Sequence, residues 1–300
     1  INMEIIKLNK KQLENLQPLE LDKKIFNTEA QIFKLNEKEQ WKRNPKLIKK
    51  FYIDDGDVFK NKLATITSLI NYSDILNKLE IILPEKLVAI NSDLVGFTMP
   101  YVDNFNFEVI LRDKSISDSK KIEYFKQIGA LFEKMKEIRK YTELKDFYLN
   151  DVHEGNFIVS KETDKIIAVD LDSCKINSNK PFPAKYLNPS IEFGYLGQKY
   201  MPYDREHMGF FVPDENTDMY CYSIMLLNYF YGDNILKVSI EEYYKYLQYL
   251  KDIGFPTSLV DMFSNLYSLA NNNNPVSYLD ELPKDHCKSN KLVFNYLNRK

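Results

Sequence analysis

Two carboxylates and one amide with a spacing suited to metal-assisted chemistry lie near the middle of the chain, at Asp151, Asn156 and Asp170. A carboxylate can orient an attacking hydroxyl and accept its proton, while carboxylate and amide oxygens are ligands for Mg²⁺. The spacing therefore predicts a phosphoryl-transfer centre in which Asp151 acts on the hydroxyl, and Asn156 and Asp170 bind the metal ion.

Two short apolar segments lie between these groups, at residues 157–159 and 166–169. We expect them to form the arms of a β-hairpin that turns through residues 160–165. Such a hairpin would bring Asn156 and Asp170 side by side.

The order of these residues resembles the protein-kinase-like superfamily, whose catalytic loop reads H-R-D-x-x-x-x-N and whose metal loop reads D-F-G. Asp151 and Asn156 match the first motif, and Asp170 matches the Asp of the second. The chain is most similar to atypical bacterial or phage protein-kinase-like proteins, and it also resembles small-molecule kinases of the aminoglycoside and choline type.

Both motifs depart from the family pattern. Leu149-Asn150 replaces His-Arg, and Leu171-Asp172 replaces Phe-Gly. The Arg that usually pairs with a phosphorylated activation loop is therefore absent before Asp151, and we expect activity without loop phosphorylation.

Two neighbouring lysines near the N-terminus are candidates for nucleotide binding. The resemblance implies a strand lysine that pairs with the α- and β-phosphates of ATP, and Lys49 falls in that register. Lys50 is the alternative. Because neighbouring side chains of a strand point to opposite faces, only one of the two can face the nucleotide.

The apolar spacing of residues 57–70 predicts a helix, which corresponds to the regulatory helix of the small lobe. The resemblance implies a Glu on this helix that pairs with the strand lysine, yet no Glu occurs from residue 53 to residue 79. Asp57, Asp74 and Glu80 are the candidates to replace it.

Residues 94–103 predict a buried strand that runs into a polar turn, and they resemble the fifth strand and hinge of kinases. The resemblance implies that Met99 lies at the back of the nucleotide pocket and that Pro100, Tyr101 and Val102 form the hinge beside the adenine. Because Pro100 has no amide hydrogen, its neighbours must make the hinge contacts.

The phosphate-binding region lacks glycine. Gly56 is the first glycine of the chain and follows Lys49, so residues 27–34 occupy the place of the usual glycine-rich loop. His153 takes the position where protein kinases carry a Lys that faces the γ-phosphate, and its imidazole could act as a donor there.

Several helices are predicted in the second half, over residues 120–141, 239–253 and 258–269. Another apolar helix begins near Asp218, with Asn216 or Thr217 as the expected cap. In the resembled helix of kinase large lobes, this Asp braces the backbone of the catalytic loop. Residues 177–213 are expected to form an activation or substrate-docking segment.

These features together predict an α+β, two-lobed protein-kinase-like fold. Residues 3–99 would form an N-lobe with a small antiparallel β-sheet, residues 100–104 the hinge, and residues 105–300 a mainly helical C-lobe. The apolar content of 44% is ample for a sizeable core.

Charge and cysteine content give little indication of other partners. Lys and Arg total 41 against 43 Asp and Glu, a net charge of −2, which supports neither a nucleic-acid nor a membrane surface. Three scattered cysteines suit a reducing compartment, so we expect a cytoplasmic protein.

The resemblance implies ATP and Mg²⁺ as cofactors and three alternative functions. The first is a Ser/Thr protein kinase with a protein substrate. The second is a small-molecule kinase, which a deep acidic pocket beside Asp151 would favour. The third is a pseudokinase that acts as a binding scaffold, which the missing glycines and helix Glu favour.

Overall fold

The computed structural model describes residues 4–19, 30–35, 43–52, 56–179, 181, 213–266, 273–283 and 286. Within these residues, the protein combines α-helices with strands that pair mostly in antiparallel fashion. No helix in this part of the chain has both the length and the apolar character needed to cross a membrane.

A six-stranded sheet forms from the first hundred residues, in the spatial order β1-β5-β6-β4-β3-β2. In chain order its strands are β1 (Ile5–Leu8), β2 (Gln17–Pro18), β3 (Ala30–Lys34), β4 (Lys46–Phe51), β5 (Lys86–Ile90) and β6 (Asp93–Pro100). The predicted antiparallel sheet is confirmed for four of the five strand pairs, and the exception is at one edge, where β1 pairs with β5 in parallel. These two strands are distant in the chain, so no hairpin turn forces them to run in opposite directions.

Alternation along β4 assigns its side chains to two faces of the sheet. Ile48 packs with Val88 and Val95 in a small core on one face. Phe51 lies on the other face and joins the main hydrophobic core. Lys49, two residues from Phe51, shares this core-facing side.

The helices of the described residues are α1 (Lys10–Glu14), α2 (Gly56–Asn71), α3 (Ser73–Leu76), α4 (Phe107–Arg112), α5 (Asp118–Tyr141), α6 (Glu215–Tyr231), α7 (Ile240–Asp252) and α8 (Thr257–Ser264). The helix predicted over residues 57–70 is confirmed as α2, which buries Ile66 and Leu69 in the main core. The helix predicted over residues 120–141 is confirmed as α5, which begins two residues earlier because Ser117 caps it.

Shorter strands lie beyond the large sheet and are β7 (Asn104–Asn106), β8 (Phe147–Tyr148), β9 (Phe157–Ser160), β10 (Ile166–Ala168) and β11 (Lys175–Ile176). The predicted hairpin is confirmed, since β9 and β10 pair antiparallel from Phe157 to Ala168. Its open end is closed by the Val169 amide, which donates to the Asn156 carbonyl at 2.9 Å. Strand β7 pairs with the outer side of β9.

Helix α6 lies at the centre of the helical region. Residues 217–227 are all buried, and the Tyr222 hydroxyl donates to the Phe125 carbonyl on α5 at 2.6 Å. The expected cap at Asn216 or Thr217 is wrong: Asp214 is the N-cap and accepts from the Thr217 amide. The Thr217 hydroxyl in turn accepts from the Asp214 amide, so the two side chains bond each other's backbone amides. This capping box makes the helix begin earlier than predicted.

The last predicted helix is shorter than expected. Residues 258–269 were predicted to be helical, but α8 ends at Ser264 with Asn265 as its C-cap. The side chain of Asn265 donates to the Asp261 carbonyl, a local bond that competes with helix continuation. Residues 267–269 lie outside the described part of the chain.

Candidate active site

A cleft of about 530 Å³ opens between the large sheet, the β9–β10 hairpin and the loop that precedes it. This volume is within the range of small-molecule binding sites. All nine predicted site residues line the cleft, namely Lys49, Met99, Pro100, Tyr101, Val102, Asp151, His153, Asn156 and Asp170.

Lys49 is almost completely buried and forms two ion pairs across the cleft. Its ammonium contacts Asp170 Oδ1, and it lies 2.6 Å from Asp172 Oδ2. Burial alone would lower the pKa of Lys49, but the two carboxylates raise this pKa above its ordinary value. Lys49 is therefore held as a cation at the wall of the cleft.

Lys50 has a different environment from its neighbour. Its ammonium lies 5.9 Å from the centre of the Tyr52 ring, and the cleft lining includes Lys49 without it. The pleat of β4 produces this difference, because Lys50 shares its face of the sheet with Ile48.

The second carboxylate of the cluster belongs to Asp172, a residue that received no role from the sequence. Its side chain is 1% exposed and pairs with Lys49 at 2.6 Å and with Lys62 of α2 at 3.1 Å. Burial opposes its ionisation, yet the two lysines lower the pKa of Asp172 below its ordinary value. The sequence did contain an indication of this role, because Asp172 occupies the position where the resembled family has glycine.

The three candidates for the missing helix Glu are wrong. Asp57 is 92% exposed and faces Lys60, Asp74 is exposed on α3, and Glu80 pairs with Lys134. The buried carboxylate beside Lys49 comes instead from Asp172, in the turn after β10. Tertiary packing brings this distant turn against the strand.

Asp170 has a left-handed backbone conformation, with φ 61° and ψ 48°. Such a conformation is uncommon outside glycine and is a mark of functional turns. The side chain of Asp170 is 41% exposed, in contrast to the buried Asp172. Of the two acids, Asp170 is the one that a ligand in the cleft can contact.

Asp151, His153 and Asn156 form a connected group on the loop of residues 149–156, hereafter the Asp151 loop. The Asn156 amide nitrogen donates to the Asp151 carbonyl at 2.9 Å and to its Oδ2 at 3.1 Å. His153 Nδ1 accepts from the Gly155 amide, and His153 Nε2 lies 3.6 Å from Asp151 Oδ2. This bonding pattern orients the His153 Nε2 proton toward the carboxylate.

The Asp151 loop is braced by Asp218 on α6, as the sequence predicted. The two oxygens of Asp218 accept from the Leu149 amide at 2.8 Å and from the Asn150 amide at 2.7 Å. Burial raises the pKa of Asp218 to about 7, although both hydrogen bonds act to lower it. Asn150 has φ 64° and donates from its side chain to the Ser173 carbonyl.

The predicted hinge residues run from Pro100, the last residue of β6, to Asn104, the first residue of β7. The Tyr101 amide donates to the Pro45 carbonyl at 2.9 Å, and the Val102 carbonyl accepts from the Asn104 side chain at 2.6 Å. These bonds hold the hinge against the β4 end of the sheet.

Gly96 is a further residue whose role the sequence did not reveal. A Cβ atom at this position would lie 1.9 Å from the Lys49 carbonyl oxygen, far inside van der Waals contact. Only glycine therefore allows β6 to approach β4 closely at the point where Lys49 enters the cleft.

A scan against models of known protein families finds no match for this chain, and a search of curated proteins also finds none. The site is therefore interpreted from its own geometry.

Asn156 and Asp170 supply the oxygen atoms of the cleft that could bind a metal ion. The Asn156 nitrogen is engaged with Asp151, so the amide oxygen is its other polar atom, and Asp170 offers a partly exposed carboxylate. The described residues hold no group of three or more His, Cys, Asp and Glu side chains arranged for a metal ion. This donor set fits Mg²⁺, which is commonly held by one or two protein oxygens together with water and phosphate.

Parts of the predicted site fall outside the described residues. Residues 27–29 of the expected phosphate-binding region and most of residues 177–213, the expected activation segment, are among them.

Proposed function

We propose that this protein is an ATP- and Mg²⁺-dependent phosphotransferase that transfers the γ-phosphate to a Ser or Thr hydroxyl of a protein. The observation that carries the proposal is the presence of Lys49, Asp151, Asn156 and Asp170 on the wall of one cleft. Phosphoryl transfer requires these groups together, because the reaction depends on positioning and on neutralising phosphate charge.

Each group has a distinct part in the proposed reaction. Lys49 contributes a permanent positive charge for the α- and β-phosphates, and Asp151 accepts the proton of the attacking hydroxyl. Asn156 and Asp170 would hold Mg²⁺, which neutralises phosphate charge when bound. His153 Nε2, which lies 3.6 Å from Asp151 Oδ2, would donate to the transferred phosphate in place of that carboxylate when the nucleotide is bound.

The proposal includes a two-lobed arrangement with residues 3–99 and 105–300 as the lobes and residues 100–104 as the hinge. The element order supports it, since the strand lysine, helix α2, strand β6, the β9–β10 hairpin and helix α6 follow one another as in the resembled family. Strand β1 is an addition at the sheet edge. At the hinge, the Tyr101 amide is engaged with Pro45, so we assign the adenine contact to the Val102 amide.

A protein substrate is favoured by the hydrogen bonds of Asp218. In the resembled protein kinases, an Asp at the start of a buried helix braces the catalytic loop, whereas the large lobes of small-molecule kinases diverge here. The two short bonds from Asp218 to the backbone of Leu149 and Asn150 support the first class.

A second candidate function is a kinase for an amine-bearing small molecule. A separate cavity of about 330 Å³ lies beside the Asp151 loop and is lined by Glu108, Glu154 and Asp233. Glu108 lines both this cavity and the main cleft. Arg112 also lines this cavity and pairs with Glu108. Glu154 and Asp233 are therefore the carboxylates that would attract a cationic substrate.

Thermal unfolding with ATP, measured with and without Mg²⁺, tests the proposal. A ligand present at 100 times its dissociation constant stabilises the folded state by about 2.7 kcal/mol, so we expect a Mg²⁺-dependent rise in Tm. Asp170→Ala should abolish this rise. Asp146→Asn, an exposed substitution outside the cleft, is the matched control and should behave as wild type.

The results separate the alternatives. No rise at millimolar ATP in the wild-type protein would contradict the proposal and favour a pseudokinase scaffold. A normal rise in Asp170→Ala would show that the nucleotide binds elsewhere. If ATP binds, phosphate transfer from radiolabelled ATP to casein, compared with transfer to an aminoglycoside, distinguishes the two substrate classes.

A further inference from the structure

Asp172 lies between two lysines that come from different elements. Its Oδ2 is 2.6 Å from Lys49 Nζ on β4, and its Oδ1 is 3.1 Å from Lys62 Nζ on α2. All three side chains are less than 10% exposed. Both ammonium groups also lie near the Phe51 ring, at 5.4 and 5.5 Å from its centre.

In the resembled family, the helix supplies an acid to the strand lysine. Here the helix supplies a second lysine, Lys62, and the acid is Asp172 from the turn after β10. Asp57, the acid at the start of α2, is 92% exposed and faces Lys60, while the buried Lys62 of the same helix contacts Asp172. Two buried ammonium groups without an anion would be strongly destabilising. The Asp172 carboxylate supplies the charge that this helix does not.

A second contact ties the same turn to α2. The Asn179 side chain donates to Thr65 Oγ1 at 2.6 Å and to the Cys174 carbonyl at 2.8 Å. Thr65 and Lys62 are the buried polar residues of α2. The segment after β10 is thus fastened to one face of the helix by an ion pair and by a neutral hydrogen bond.

The two carboxylates that contact Lys49 differ in accessibility. Asp170 is 41% exposed, whereas Asp172 is 1% exposed. A metal ion in the cleft would therefore compete with Lys49 for Asp170, and a phosphate would compete with Asp170 for Lys49. Either ligand would leave the buried Asp172 in place. Lys49 keeps one carboxylate partner in the liganded state, and this partner fixes the direction of its ammonium.

We propose that Asp172 is a positioning residue that directs Lys49 toward the nucleotide phosphates, and that Lys62 makes this arrangement dependent on the position of α2. The proposal rests on the proposed function, since it requires a nucleotide in the cleft. It assigns to the turn after β10 the task that the resembled family assigns to a helix Glu.

A double-mutant cycle on the intact chain tests the proposal, with Asp172→Asn, Lys62→Met and their combination. The readouts are the dissociation constant for Mg²⁺·ATP and, separately, KM and kcat for transfer to casein. Replacing a partner that orients a ligand-binding side chain weakens binding by roughly 10–100-fold, so we expect this loss for Asp172→Asn. Lys62→Met should have a smaller effect, and none in the Asp172→Asn background, because it acts through Asp172.

Two variants serve as controls. Lys60→Met removes an exposed ion pair from the same helix and should leave the dissociation constant unchanged. Lys62→Arg keeps the charge and should bind nucleotide within a few-fold of wild type. Equal weakening of Lys62→Arg and Lys62→Met would show that the charge of Lys62 is not what supports Asp172.

Wild-type affinity for Mg²⁺·ATP in Asp172→Asn would overturn the positioning role while leaving the proposed function intact. Independent, multiplicative effects of the two substitutions would also overturn it, because they would separate Lys62 from Asp172. If Asp172→Asn does not fold, the comparison of Lys62→Met with Lys62→Arg and Lys60→Met decides. Absence of nucleotide binding by the wild-type protein would instead overturn the proposed function and this inference together.

Discussion

The Asp151 loop and the Lys49 cluster (Lys49, Lys62, Asp170 and Asp172) both contribute side chains to the cleft and are held by different forces. The loop is held by hydrogen bonds from its own backbone to the buried carboxylate of Asp218. Lys49 is held by side-chain charges, with Asp170 and Asp172 as partners and Lys62 behind them. The bonds from Asp218 act on the backbone of the loop, whereas the cluster depends on the side chain of every member.

This difference explains why the buried partner of Lys49 departs from the resembled motifs, while the proposed oxygen ligands and proton acceptor follow them. Oxygen ligands and a proton acceptor must have definite positions and chemical types, so Asp151, Asn156 and Asp170 match their motifs. A cation needs only a nearby buried anion, and the chain can supply that anion from another element. Asp172 does so here.

The largest expected effect is on the loop side. Asp151→Asn keeps the shape of the side chain and removes its ability to accept a proton, so kcat for transfer should fall by about 10²–10⁴-fold. The dissociation constant for Mg²⁺·ATP should remain near that of wild type, because Lys49 and Asp170 are unchanged.

Transfer of radiolabelled phosphate to casein measures kcat, and titration with Mg²⁺·ATP measures the dissociation constant. Asp146→Asn, five residues earlier and exposed, is the matched control. Equal transfer by wild type and Asp151→Asn would show that the loop does not carry the reaction.

The next effect is on the cluster side. Lys49→Met leaves a buried carboxylate without one of its cations, which should lower the free energy of unfolding by about 3–5 kcal/mol. It should also weaken nucleotide binding. Lys50→Met, on the opposite face of the same strand, should change stability by less than about 1 kcal/mol.

Urea denaturation of the three proteins measures this difference. Equal stability of Lys49→Met and Lys50→Met would contradict the view that charges hold this side of the cleft.

The smallest effect concerns the brace of the loop. Asp218→Asn replaces one of the two accepting oxygens with an NH₂ group, so either the Leu149 or the Asn150 backbone amide loses its acceptor. The free energy of unfolding should therefore fall by about 1–3 kcal/mol near neutral pH. Because Asn does not titrate, this variant also isolates the pH dependence of Asp218.

The sign of that dependence follows from the pKa of Asp218, which burial raises from 3.8 to about 7. Between these values the folded protein retains a proton that the unfolded chain releases, so the stabilising contribution of Asp218 decreases as the pH rises and is constant above about 7. The stability difference between wild type and Asp218→Asn should therefore shrink from pH 4 to pH 7. A difference that grows over this range would show that the carboxylate is ionised in the folded protein.

Several features were predicted correctly because they depend on neighbouring residues. The β9–β10 hairpin follows from two apolar segments and a polar turn, and helices α2 and α5 follow from their apolar periodicity. Errors arose at boundaries, where a single side chain decides the end of a helix, as Asp214 and Asn265 do.

Some contacts that join distant parts of the chain were missed. The parallel pairing of Ile5–Leu8 with Lys86–Ile90 leaves no mark in either segment, because its direction depends on the path of the chain between them. Gly96 resembles any strand glycine until the Lys49 carbonyl is seen 1.9 Å from its missing Cβ.

The sequence by itself determined which groups are available for chemistry and in what order they occur. Asp151, Asn156 and Asp170 are recognisable because their roles require particular side chains at short separations. The tertiary structure alone decided that Lys49 and not Lys50 faces the cleft, and that Asp172 is the anion that holds it. The physical reason is that an ion pair acts through space: Lys49 and Asp172 are far apart in the chain, and only the packing of the turn after β10 against β4 and α2 brings them together.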